Sequence, residues 1–487
     1  MSEMKLNLKN NPIWVHYLIL LVLCFLVLFI KLGSFHMRIW DESMFAVNTY
    51  EMMQNGNYFS LFYNGNIDLY NTKPPLTNWF QLLSVKAFGY NELAIRIPSA
   101  LAALLTNLFS FKFIAKYFNY VWAWAVALII ISSAGFVNYH TARTGESDAI
   151  LTFFLVLTNI AFIRYIIENN KKHILLLFIF ITLAFATKLY AALLFAPAYL
   201  FLLIYFKRFK SFVFSWQFLA GTLLFIGTSL SFIILRDIES PGYIDAILSS
   251  DAGRLFTVLK QFEKSTFFYI ENFYVKRYAV YFLFFLIGSV FIFLKKRDET
   301  SQKILVIYFS LIVSYLLIIT LSFTKLPWYD MPLYPLLALI SAYPIIEIIR
   351  LLTSETKVNK TYVNYVMVAL IFAYPYYYRF SKSQGNKIDD GAIKIEANER
   401  YLHQAIRKNL DLDGLNVLYH GYNGALLFYK YKLHEAGQEI ELHTNIAQLK
   451  IGDRVLVCKD EQRAELREYF VLDPVDDYQY SDVYRLK

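Results

Sequence analysis

The chain has 487 residues, of which 57% are hydrophobic and 18% aromatic, and only 17% are charged, well below the quarter or so usual in soluble domains. That composition, with a mean hydropathy of +0.40, excludes an ordinary soluble protein and points to the bilayer. The formal charge of +9 would suggest nucleic acid in a soluble chain, but a membrane protein concentrates Lys and Arg in its cytoplasmic loops, so no nucleic-acid partner is expected.

Lys5 and Lys9 precede an apolar run with no small-residue cleavage site after it, which reads as a retained first helix. About 20 apolar residues cross the hydrocarbon core. On that measure eleven spans are expected: Trp14 to Leu32, Ile95 to Phe111, Tyr120 to Asn138, Ala149 to Ile167, Ile174 to Thr187, Leu189 to Phe206, Phe212 to Leu235, Tyr278 to Leu294, Ile304 to Ser322, Met331 to Ile349 and Tyr362 to Tyr378. The basic connections test the count. Lys112 and Lys116, Lys171 and Lys172, Lys207-Arg208 with Lys210, Lys295-Lys296-Arg297, and Arg350 with Lys357 and Lys360 all fall on one side under eleven spans. The positive-inside rule makes that side cytoplasmic, with the N-terminus inside and the C-terminus outside. Reading Ile174 to Phe206 as one long helix would reverse every later loop, so two short spans meeting near Lys188 are expected.

The fold class is therefore an α-helical polytopic membrane protein with a small C-terminal α/β extracytoplasmic domain. The expected boundaries are a membrane domain over 1–378, carrying outer loops 33–94 and 236–277, and a soluble domain over 379–487. The second loop contains amphipathic stretches suited to the interface. The soluble part shows helical stretches at Ile393 to Asn409 and Glu461 to Phe470, and strand-like runs at Asn416 to Tyr419 and Arg454 to Lys459.

Five short runs carry chemistry. Asp41-Glu42 follows the first span; adjacent carboxylates can activate a hydroxyl, bind a cation or orient a sugar, or be two solvated loop acids. Asn71-Thr72-Lys73-Pro74-Pro75-Leu76, followed by Trp79, holds a lysine in a rigid extended segment suited to a phosphate; the plainer reading is an interfacial lysine. In Arg143-Thr144-Gly145-Glu146-Ser147-Asp148 the last acid opens a helix, where it either caps the dipole or faces the same cavity as Asp41. Thr187-Lys188-Leu189-Tyr190 and Thr324-Lys325-Leu326-Pro327-Trp328-Tyr329-Asp330 complete the set, and each alone resembles a membrane anchor. Their coincidence on one side is the signal: Lys73, Arg143, Lys188 and Lys325 all stand at outer helix ends beside the conspicuous acids. Two cysteines, Cys24 and Cys458, argue against a disulfide framework, and the eight histidines show no ligand spacing. There is no P-loop, zincin motif or Gly-x-Ser-x-Gly elbow.

In this order, the five runs resemble the C-type glycosyltransferases that use polyprenyl-phosphate sugars, notably the aminoarabinose–lipid A transferases and the dolichyl-phosphate-mannose–protein mannosyltransferases. Asp41-Glu42 matches the family's acidic pair, and Lys73-Pro74-Pro75-Leu76 through Trp79 to Phe88-Gly89-Tyr90-Asn91 and Arg96 matches the segment after it. The likeness covers residues 14 to 350 and is strongest from Trp40 to Arg96. Ser43, Met44 and Phe45 follow the acids where the family often has Arg or Tyr, and Thr72 stands where an acid frequently precedes the lysine.

The resemblance implies an inverting transfer of a single sugar from a polyprenyl-phosphate carrier to an acceptor hydroxyl or phosphate of a lipid A-like glycolipid, a glycan or a protein. It implies catalytic roles for Asp41, Glu42 and Asp148, and donor-phosphate binding by Lys73, Arg143, Lys188 and Lys325. No metal site is assigned; a divalent cation could sit near Asp41 and Glu42, but the ligand set is thin. Besides donor and acceptor, the partners are membrane lipids, and the expected location is a bacterial inner (plasma) membrane with the active site on the periplasmic or extracytoplasmic side. The alternative is a transporter or flippase of a lipid-linked sugar, against which stand the missing inverted repeat and the one-sided placement of the candidates.

Overall fold

The computed structural model describes residues 13–138, 140–252, 264–295, 297–355, 359–385 and 394–487. Lys5, Lys9, Lys296, Lys357, Ile393 and the middle of the second outer loop lie outside them. The described chain forms two compact units. One comprises residues 1–30, 72–76 and 99–384; the other comprises 31–71, 77–98 and 385–487.

The first unit is helical. Six helices among the described residues are long and apolar enough to cross a membrane, at Glu92–Tyr117, Asp148–Glu168, Lys172–Leu193, Trp216–Glu239, Glu299–Leu321 and Pro327–Leu352. Shorter apolar helices occupy Ile13–Leu28, Tyr120–Ser132, Ala196–Tyr205 and Val280–Leu294, and a helix over Lys360–Gln384 carries the last expected span. Apolar side chains lie on the outside as well as within: Leu219, Leu223, Leu230 and Ile234 of Trp216–Glu239 are more than half exposed. Water would penalise such a face, whereas lipid is its natural solvent.

The stretch around Lys188 is a helical hairpin, one arm long enough to cross a membrane and the other, Ala196–Tyr205, ten residues long. Lys172–Lys188 packs along Asp148–Glu168, the backbone breaks at Leu189 (φ 33°), and Ala196–Tyr205 returns. The return is fixed by Tyr199 donating to Asn159 Oδ1 at 2.6 Å, midway along Asp148–Glu168, and by Arg208 donating to Asn169 Oδ1 at 2.8 Å, at the end of that helix opposite Lys188. Close crossings need small residues. A Cβ at Gly288 would lie 2.0 Å from the Ile340 carbonyl oxygen, so Val280–Leu294 approaches Tyr334–Leu352 backbone to backbone.

The second unit holds a hairpin, β1 (Phe62–Tyr63) with β2 (Asn66–Ile67), and a five-stranded sheet. The sheet strands are β3 (Leu415–Leu418), β4 (Ile440–His443), β5 (Arg454–Val457), β6 (Leu472–Tyr478) and β7 (Ser481–Leu486), ordered β4-β3-β5-β7-β6. β3 runs parallel to both neighbours, with Leu415 opposite Ile440 and Arg454, and every residue of it is buried, as a central parallel strand requires. β5–β7 and β7–β6 are antiparallel.

One core serves the sheet and the first loop together. Leu402, Leu415, Val417, Leu456, Phe428 and Tyr429 pack with Met37, Ala46, Tyr50, Tyr90, Ala94 and Ile95. A buried polar knot joins the same pieces: Glu92 accepts from Lys432 Nζ at 2.6 Å and from Tyr429 at 3.2 Å, and pairs with His403 Nδ1 at 2.8 Å. The C-terminal residues are thus folded onto the first loop.

Candidate active site

In the second unit Asp41 and Glu42 open the helix Asp41–Asn55, in the first turn where the dipole favours carboxylates. Successive residues on a helix point about 100° apart, so the two acids meet different surroundings. Glu42 is fully buried. Its Oε1 accepts from Arg96 Nε at 2.7 Å, and its Oε2 accepts from Arg96 Nη2 at 2.8 Å and from the Arg38 backbone at 2.9 Å. Arg96 spends its remaining three N–H groups on the carbonyls of Leu32, Phe35 and His36, at 2.7–3.0 Å. All five guanidinium donors are then used, and the loop preceding the helix is pinned. Asp41 is only partly buried, so the carboxylate that solvent can reach is the first of the pair.

Behind it stands a second buried cluster, in which Glu396 receives His36 Nε2 at 2.8 Å and Arg38 at 2.9 Å. Burial pushes the His36 imidazole down to about 4 against the pull of Glu396, so it sits there as a neutral donor.

In the first unit, a cavity of about 110 Å³ is lined by Lys73, Asp148, Lys188 and Tyr329 among the polar groups, and by Leu151, Leu194, Ile318 and Ile319 among the apolar ones. Asp148 and Lys188 form a two-pronged pair, with Nζ 2.7 and 2.9 Å from the two carboxylate oxygens. The ammonium also stands 5.1 Å from the centre of the Tyr329 ring. Lys73 is placed by its own backbone: Arg236, fully buried, donates to the Lys73 carbonyl at 2.8 Å, and Tyr243 donates to the Thr72 carbonyl at 2.7 Å. The Arg236 guanidinium lies 4.1 Å over the Tyr243 ring, so the two act as one clamp on the Lys-Pro-Pro segment.

The structure brings Lys73, Asp148 and Lys188 to this one cavity. Arg143 is engaged otherwise: it donates to the carbonyls of Val27, Leu28 and Ile30 at 2.6–2.9 Å, satisfying the end of the helix Ile13–Leu28. Lys325 is outside the cavity lining and 8% exposed, and among the described residues its ammonium has neither a hydrogen bond nor an ion pair. The neighbouring Thr324 hydroxyl is likewise buried without a partner.

Sequence reasoning passed over several groups. Arg236 and Tyr243 are one of them; an arginine closing an otherwise apolar helix was the available signal. His140 and Glu146 are another, a buried pair 2.7 Å apart with the imidazole stacked on Trp328 at 3.7 Å. Arg277 is a third, bound two-pronged to Asp330 at 2.7 and 2.9 Å and so anchoring the turn that follows Lys325.

The family described as dolichyl-phosphate-mannose-protein mannosyltransferase matches residues 72–233. A protein of Aquifex aeolicus (strain VF5), described only as uncharacterized, is 27% identical over 328 residues, 67% of this chain and 63% of its own. "Putative mannosyltransferase YkcB" of Bacillus subtilis (strain 168) is 28% identical over 170 residues, 34% of this chain and 23% of its own. The chain thus spans less than two thirds of the length of either relative. Among solved structures, ArnT from Cupriavidus metallidurans bound to undecaprenyl phosphate superposes with a TM-score of 0.70 at 14% identity, over 97% of this chain and 98% of that one. The fold is therefore that of the ArnT structure, and the described chain carries six helices long and apolar enough to cross a membrane.

Proposed function

We propose that this chain is a C-type glycosyltransferase that moves one sugar, with inversion, from a polyprenyl-phosphate carrier to an acceptor hydroxyl outside the cytoplasm. The observation that carries the reading is the cavity with Lys73, Lys188 and Asp148 among an otherwise largely apolar lining. An amphiphile with an anionic head and a hydrocarbon tail suits such a lining, and the undecaprenyl phosphate held by the ArnT relative has that chemistry.

The acceptor oxygen attacks the anomeric carbon from the face opposite the phosphate; the new C–O bond forms as the bond to the phosphate oxygen breaks. The proton passes to Asp41, the accessible carboxylate, while Glu42 is kept from the reaction by Arg96 and positions the helix start. Charge gathering on the departing phosphate is taken up by Lys73 and Lys188, the latter exchanging part of its hold on Asp148. Lys325, outside the cavity lining, adds a further cation for which the described chain supplies no counter-ion. Phosphate leaves readily, so a base and a cationic cradle suffice, with a divalent cation near the acids an optional addition.

Radiolabelled polyprenyl-phosphate sugars in proteoliposomes test the reading, wild type beside Asp41→Asn. Label should reach an acceptor with wild type and fall by at least about a hundredfold with the variant. Label that crosses the bilayer unchanged, equally with both, would make the protein a transporter instead.

A further inference from the structure

Trp40, the residue before Asp41, has φ 71° and ψ −127°, a backbone region that suits glycine and strains an aromatic residue. Three donors hold its carbonyl: the Met44 backbone at 2.9 Å, Ser43 Oγ at 3.0 Å and the Tyr422 hydroxyl at 3.2 Å. The indole lies flat on the Tyr422 ring, 4.8 Å between centroids and 14° between planes, yet Trp40 remains 52% exposed. Tyr422 is braced in turn by Tyr63, 6.0 Å away, whose hydroxyl donates to Asn423 Oδ1 at 2.7 Å. Gly424 makes room for this: a Cβ there would stand 2.5 Å from the Tyr422 hydroxyl and 2.8 Å from Ser43 Oγ. Burial, then Tyr63 and then the charge of Asp41 hold the Tyr422 phenol well above its ordinary range, so ring and carboxylate share one neighbourhood.

Interfacial tryptophans that merely anchor a protein need no particular backbone and no second ring beneath them. Here a strained residue and a braced tyrosine keep a flat apolar face beside the reactive acid. The C–H face of a pyranose ring packs on such a surface while its hydroxyls stay free for a carboxylate.

We propose that Trp40 and Tyr422 form a stacking platform for the pyranose ring of the sugar that reacts beside Asp41, belonging either to the donor or to a saccharide acceptor. The assignment rests on the reading of Asp41 given above, and it gives the C-terminal residues a part in substrate recognition.

Glycine tolerates the φ and ψ of position 40, so Trp40→Gly removes the indole and relieves strain together, and the fold should survive. Binding is measured on the full-length protein in nanodiscs, with Asp41→Asn as the background so that no turnover occurs. The probes are mannosyl- and glucosyl-polyprenyl phosphate, bare polyprenyl phosphate, and methyl mannoside and mannobiose as acceptors. If the donor sugar is stacked, Trp40→Gly weakens a sugar-bearing carrier about three- to tenfold and leaves the bare carrier unchanged. If an acceptor sugar is stacked, the saccharide weakens and both carriers hold. Tyr422→Leu should reproduce the effect in part, and Trp40→Phe should retain most of the binding. Equal affinities of wild type and Trp40→Gly for every sugar-bearing probe, or equal loss for bare and sugar-bearing carriers, overturn the platform. Unimpaired transfer by Asp41→Asn alone would overturn the reading of the base, a separate result.

Discussion

Glu42→Gln separates a positioning acid from a reacting one. The wild-type carboxylate takes two N–H groups of Arg96 and the backbone N–H of Arg38, in a place with no solvent exposure, and the Arg96 side chain is only 2% exposed. Glutamine keeps the shape but offers an acceptor on one arm only; its NH₂ faces a guanidinium N–H or the Arg38 N–H, and Arg96 is left as an uncompensated buried charge. Breaking a buried pair in this way costs about 3–5 kcal/mol. In a unit of this size that lowers the melting temperature by on the order of 10 °C. The protein that remains folded should still transfer sugar within about tenfold of wild type, because Asp41 is untouched, whereas Asp41→Asn keeps its melting temperature and loses transfer. The assay pairs thermal unfolding in detergent with turnover from a labelled polyprenyl-phosphate sugar, normalised to folded protein. A Glu42→Gln protein as stable as wild type and as inactive as Asp41→Asn would refute the division of labour.

Lys188→Ala should destabilise by about 3 kcal/mol by leaving Asp148, 4% exposed, unpaired. Lys188→Ala/Asp148→Ala should recover most of that melting temperature without recovering transfer. Lys325→Met removes a cation to which the described chain gives neither a hydrogen bond nor an ion pair, so the melting temperature should hold while donor binding weakens at least about tenfold, read by titration with polyprenyl phosphate. Glu399 is buried, and burial with the nearby Glu396 charge pushes its carboxyl up to about 7. Its neutral form is the one the fold favours, so its contribution is full below about pH 4.5 and is lost as pH rises through 7, about 3 kcal/mol in all. Glu399→Gln should therefore lose less melting temperature than wild type between pH 5 and 8.

The helices were legible because hydropathy reports them directly: each expected span overlaps helical structure, although Tyr120 to Asn138 breaks at Ser133 and Leu189 to Phe206 opens as a 3-10 turn before Ala196–Tyr205. The strands Leu415–Leu418 and Arg454–Val457 were visible for a similar reason, as short apolar runs between polar turns that the expected runs Asn416 to Tyr419 and Arg454 to Lys459 overlap. What local pattern could not carry is the single core that residues such as Tyr50 and Tyr90 build with Phe428 and Tyr429. Those contacts join segments more than 300 residues apart, and no periodicity in either segment encodes the other.

The site shows the same divide at finer scale. A motif reveals that charges gather; it does not reveal which of them are already answered. Glu42 and Arg96 lie 54 residues apart, and Asp148 and Lys188 lie 40 apart, so their pairing exists only in the folded chain. Arg143 reads as one more cation of a phosphate pocket, and in the folded chain it also donates to carbonyls at the end of the first helix. Lys325 reads the same way, yet among the described residues nothing answers it. Two lysines equivalent in sequence thus differ in what a ligand would gain. At Lys188 a phosphate must compete with Asp148, and the pair can return to itself when the phosphate departs. At Lys325 the phosphate supplies the charge that the described chain withholds, so affinity for the carrier should rest more on Lys325 and its release more on Lys188.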